Sequence, residues 1–87
     1  LGKITTIGRE TYNDIVFPTT LVSRQHAVIR YEKGKYVLYN LSITNEMSVN
    51  DEKVEFSHVL KNQDVIEMVP YYIEFEQRES FDPVAEG

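Results

Sequence analysis

The 87-residue chain contains no cysteine. Disulfides and thiolate metal sites are therefore excluded, and an intracellular location, cytoplasmic or nuclear, is favoured over a secreted one. Long apolar runs are also missing. None approaches the roughly 18 residues from which a membrane helix is read, so no membrane partner is expected. No signal-like segment is recognisable, and the opening Leu1 reads as a piece cut from a longer protein. Basic charge is scarce, with nine lysines and arginines against fourteen acids and a formal net charge of -5. A nucleic-acid binder usually carries a basic face, so nucleic acid is disfavoured as a partner. A local positive pocket in an acidic domain remains compatible with this balance and would prefer partners with basic flanks. The two histidines have no clustered ligands around them, and neither a metal nor another cofactor is expected.

Helical periodicity is lacking too. Short β-branched and aromatic runs recur instead, with turn signals between them. Strands are expected over Ile4 to Ile7, Ile15 to Phe17, Ala27 to Tyr31, Lys35 to Leu41, Ser48-Val49, Val65 to Met68 and Tyr71 to Phe75. Pro18 stops the second, because it has no N–H for the ladder. Alternation should bury Ala27, Ile29 and Tyr31 on one face, with Tyr36, Leu38 and Leu41 from the returning strand. Glu32-Lys33-Gly34 reads as a tight hairpin in which Gly34 can take a positive φ. Asn50-Asp51 reads as a turn, as does Lys61 to Asp64. His58 has no partner motif and reads as a surface residue. Many short strands with frequent turns predict an all-β antiparallel sandwich or barrel. One domain over residues 1–77 and a polar tail over 78–87 complete the expected organisation.

Three polar clusters fall on the loops between these strands. They are Gly8-Arg9, then Ser23-Arg24-Gln25-His26, then Thr44-Asn45 with Val49-Asn50 behind it. Arginine forks, hydroxyls and loop N–H groups at several loop tips can converge on one tetrahedral anion. Ser23 with His26 also invites a hydrolase reading. That chemistry needs an oriented dyad and an oxyanion hole, and nothing in the sequence forces them, so an enzyme is not expected.

The order Ile7-Gly8-Arg9, Asn13-Asp14-Ile15, Val22 to Ala27, Thr44-Asn45 and Val49-Asn50 resembles a forkhead-associated (FHA) domain. Leu60, Asn62, Asp64 and Ile66 fit that family's late turn and strand. The resemblance implies an antiparallel two-sheet β-sandwich whose loops at one end bind phosphothreonine in a partner protein. By the same resemblance, Arg9 would bond the phosphate or nearby peptide backbone, and Ser23 would donate its hydroxyl to the phosphate. Arg24 takes a place where the family has a basic or polar phosphate contact. Thr44 would contribute its N–H or hydroxyl, and Asn45 would bond the peptide main chain. Gly8 would allow the turn that aims Arg9, and His26 would tie neighbouring loops together through its ring.

The chain departs from the family pattern in places. Glu46 stands where glycine usually follows the Thr-Asn pair; a positive φ there would strain it, and an inward carboxylate would repel phosphate. Glycine is also usual at the places of Asp51 and Gln63. The family tends to have a strand before the Gly-Arg strand. Either a first strand is lacking here, or a partner or swapped segment completes the sheet edge. The reading is a non-catalytic phosphothreonine-peptide module of a larger signalling or scaffold protein. Its alternative is a phosphate-independent protein-interaction domain, or a dimer formed through an open edge.

Overall fold

A computed structural model describes residues 3–76, and the tail expected over 78–87 lies outside them. The described residues form strands β1 (Ile4–Gly8), β2 (Ile15–Val16), β3 (Ala27–Glu32), β4 (Lys35–Asn40), β5 (Ser48–Val49), β6 (Glu52–Lys53), β7 (Ser57–Val59), β8 (Val65–Met68) and β9 (Tyr71–Glu74). They make a two-sheet sandwich, with the order β2-β1-β3-β4-β7 in one sheet and β6-β5-β8-β9 in the other. Most pairings are antiparallel, but β1 and β2 run parallel, with Ile7 opposite Ile15.

Register explains which side chains face inward. In the larger sheet, Ile7 lies opposite Ala27, and Ile29 lies between Thr5 and Leu38. In the smaller sheet, Ile66 lies between Val49 and Ile73. Side chains directly opposite one another share a face. These rows meet in a core that also takes Met47, Val54, Leu60, Met68 and Phe75. Phe17, just past β2, stacks on Tyr71 of β9 with ring centroids 4.5 Å apart, joining the sheets at one margin.

Three expectations need correction. Leu41 was expected in the core and is 50% exposed, because β4 ends at Asn40 and the chain turns into a loop. Tyr31 is 46% exposed and leans on Tyr36 near the hairpin end rather than entering the core. His58 lies on β7 opposite Leu38, half-buried, with Nε2 3.8 Å from the Asp64 carboxylate.

The turns carry the backbone conformations that their residues permit. Lys33 and Gly34 both have positive φ, as do Asn50 and Asp51, so both two-residue hairpins match the twist of their strands. Gln63 is left-handed at φ 74°. Asn50 is the first residue of the smaller sheet's first hairpin turn and serves the fold. Its Nδ2 donates to Asp64 Oδ1 at 2.8 Å, and its Oδ1 accepts from the Val65 N–H at 2.9 Å. Asp64 also accepts from the Lys61 N–H at 2.7 Å, which closes the turn before β8.

Candidate functional site

Three loops emerge at the same end of the sandwich. They are the β1–β2 loop, the β2–β3 loop, and the segment 41–47 that crosses from β4 in one sheet to β5 in the other. Backbone hydrogen bonds hold them side by side. The Arg9 N–H donates to the Ser23 carbonyl at 3.0 Å, the His26 N–H to the Ile7 carbonyl at 2.8 Å, and the Leu41 N–H to the His26 carbonyl at 2.8 Å. Asn13 adds a side-chain tie, its Nδ2 donating to both the Glu10 and Arg24 carbonyls at 2.9 Å.

Gly8 is required where the first two loops meet. Its φ is not in the left-handed region, so a special turn is not the reason. A Cβ at this position would lie 2.1 Å from the Arg24 carbonyl oxygen and 2.7 Å from Asn13 Nδ2. Glycine grants the close approach that brings Arg9 beside the β2–β3 loop.

The loops enclose an open depression of about 490 Å³ lined by Arg9, Ser23, Arg24, Thr44 and Asn45 together, with Thr20, Gln25 and Ser42 among its other walls. All the contact residues expected from the sequence therefore meet at one place. The two arginines are the charged side chains lining it. Arg9 is half-buried and its Nε lies 4.0 Å from a Glu10 carboxylate oxygen, a long contact that leaves most of its fork available. Arg24 has no carboxylate partner among the described residues. Glu46 stays out of this lining; it has an ordinary φ, is exposed, and lies 3.7 Å from Lys53 Nζ.

The hydroxyls are linked. Ser23 Oγ lies 2.7 Å from Ser42 Oγ and accepts from Asn45 Nδ2 at 2.9 Å. Ser42 Oγ accepts the main-chain N–H of Asn45 at 2.9 Å and of Thr44 at 3.3 Å, so it shapes the turn that carries both residues. Ser42 and Asn13 were missed as members of this assembly. Serine with its hydroxyl on N–H groups two and three residues ahead is a recognisable turn former, and that spacing was the available signal.

His26 is wholly buried beneath this surface. Its Nδ1 accepts from the Ser23 N–H at 3.3 Å. Its Nε2 is enclosed and makes no well-formed hydrogen bond, although the nearby Asn45 main chain favours a proton there. Desolvation dominates and holds the ring below its ordinary pKa of 6.5. The ring is thus neutral, bonded to the Ser23 N–H three residues back on its own loop and lying near the Asn45 main chain. It engages the main chain of Ser23 and not its hydroxyl, so the dyad a hydrolase needs is not formed.

Comparison with known proteins gives the class. The family model described as the FHA domain matches residues 5–69, and the chain belongs to that family. FHA domains are non-catalytic binding modules. Mycobacterium tuberculosis EmbR, solved with a low-affinity phosphopeptide, is 34% identical with a TM-score of 0.80, over 85% of this chain and 20% of EmbR. This chain therefore spans only a small part of that protein's length. An FHA domain characterised for phosphothreonine-dependent interactions is 30% identical with a TM-score of 0.79, over 87% of this chain and 78% of that one. The FHA-2 domain of an M. tuberculosis ABC transporter is 28% identical with a TM-score of 0.78, over 93% of this chain and 79% of that one. No curated protein matches.

Proposed function

We propose that this domain recognises phosphothreonine in a partner protein and serves as a non-catalytic docking module of a larger intracellular signalling or scaffold protein. The observation that carries the reading is the convergence of Arg9, Ser23, Arg24, Thr44 and Asn45 on one depression without a lining carboxylate, in a chain of net charge -5. A phosphothreonine carries about -1.5 to -2 charges and several strong acceptors, and fixed donors suit it better than diffuse positive charge. Arg9 and Arg24 supply charged forks, Ser23 a hydroxyl, and Thr44 and Asn45 flanking polar groups. Hydrogen bonds to a charged group contribute roughly 1.5–3 kcal/mol each. Three or four of them, less the ordering cost, give affinity near the micromolar level, about -8 kcal/mol. The relatives solved with a phosphopeptide or characterised for phosphothreonine dependence support the same ligand class.

The test is calorimetric titration with a degenerate phosphothreonine peptide pool and its unphosphorylated twin. Saturable binding of the first alone is expected, and equal binding of both rejects the reading. A second reading has one observation in its favour: Phe56 and Val59 are 81% and 45% exposed at and beside β7, an edge strand of the larger sheet. Such an edge can pair with a second chain. Sedimentation showing a stable dimer, together with indifference to phosphopeptide, would favour that role.

A further inference from the structure

We infer that Ser42 is a positioning residue of the phosphate site, setting the Ser23 hydroxyl so that its proton faces the ligand; this rests on the phosphothreonine reading above. A serine hydroxyl has one proton and accepts two hydrogen bonds. Ser42 Oγ accepts the Asn45 and Thr44 main-chain N–H groups at 2.9 and 3.3 Å, which occupies its acceptor capacity. Its 2.7 Å contact with Ser23 Oγ is then served by its own proton. Ser23 Oγ receives that proton and one from Asn45 Nδ2 at 2.9 Å. Both acceptor sites of Ser23 are filled by protein groups, and its proton remains unclaimed in a depression bordered by Arg9 and Arg24.

An anion has acceptors and no donors to offer a hydroxyl. A freely rotating serine would spend part of its time with lone pairs facing the phosphate. Ser42 and Asn45 remove that orientation before the ligand arrives, which is preorganisation rather than an added contact. With its proton and both acceptor sites taken, Ser42 has no hydrogen bond left for the ligand and acts on it through Ser23.

The test is a double-mutant cycle on phosphothreonine-peptide affinity, using Ser23→Ala, Ser42→Ala and both together. Ser42→Ala also removes the cap of the 42–45 turn, so the single variant does not separate the two roles. If Ser42 acts through Ser23, Ser42→Ala weakens binding about tenfold in the wild type but only about twofold beside Ser23→Ala. The same factor in both backgrounds overturns the inference. Ser42→Thr, which keeps the hydroxyl, should restore affinity to within about threefold of the wild type. A measurement on the wild-type complex does not depend on the variants folding. Proton–phosphorus coupling through the hydrogen bond should connect the Ser23 hydroxyl to the bound phosphate, and a coupling from Ser42 instead overturns the inference. A wild-type domain blind to phosphorylation would reject the phosphate reading itself. Phosphate dependence with an additive cycle rejects only the role of Ser42.

Discussion

Arg9 and Arg24 both end in a guanidinium at the same depression, but they are held differently. Arg9 is anchored by its own N–H on Ser23 and half-buried, while Arg24 is exposed on the neighbouring loop. A half-buried side chain on an anchored main chain loses less freedom on binding, so Arg9 should dominate. We expect Arg9→Lys to weaken phosphothreonine-peptide binding by about 2 kcal/mol, because a compact ammonium cannot reproduce two parallel bonds. Titration of the variant, with unfolding curves to confirm that the fold is kept, checks this. Wild-type affinity in Arg9→Lys would mean that charge alone suffices. Gly8 is a second single-residue dependence. Gly8→Ala places a carbon against the Arg24 carbonyl. It should destabilise the domain by about 1–3 kcal/mol in urea unfolding, the range for overpacking a tight site. It should also weaken binding, because the two loops are forced apart.

At the scale of strands and turns, much was legible in the sequence. Ala27 and Ile29 alternate with Val28 and Arg30, and β3 follows that pattern. Gly34 marked one hairpin, and Asn50-Asp51 marked another. The strand Ser57–Val59 was missed because Ser57 and Val59 are exposed, His58 is only half-buried, and its residues carry no apolar alternation. Leu41 was misplaced because an apolar residue just past a strand end looks like the next inward position. The parallel pairing of β1 with β2 left no mark, since strand direction depends on the path of the loop between them. Arg9, Ser23, Arg24, Thr44 and Asn45 were legible through their order along the chain, whereas Ser42 was hidden because its role lies in a bond to a residue on another loop. Gln63 supports a prediction at this scale. A non-glycine residue in the left-handed region is strained by roughly 1–2 kcal/mol, and glycine adds about 0.4–1 kcal/mol of unfolded-chain entropy. Gln63→Gly should therefore raise stability by about 0.5–1 kcal/mol in denaturant unfolding, leaving peptide affinity unchanged. A loss of stability would show that the Gln63 side chain contributes more than its backbone costs.

Across the whole molecule, the buried imidazole makes stability depend on pH. His26 is neutral in the folded state, with its pKa held below the ordinary 6.5 by desolvation. The unfolded chain therefore binds more protons than the folded one as the pH falls below that value. The stability that the neutral ring supports is intact above pH 6.5 and declines as the pH drops toward the lower folded pKa. Denaturation midpoints should fall from pH 6.5 to about 5, above the range of most carboxylates, and His26→Gln should flatten that part of the profile. A variant profile parallel to the wild type would place the dependence elsewhere.

The segment 41–47 is where the polypeptide leaves one layer of the sandwich for the other, and the depression spans it and two loops of the first layer. Any anion gripped there acts as a removable rivet across the joint. Heat resistance of the domain would then report the work of a distant kinase or phosphatase on the partner, without a label on either protein.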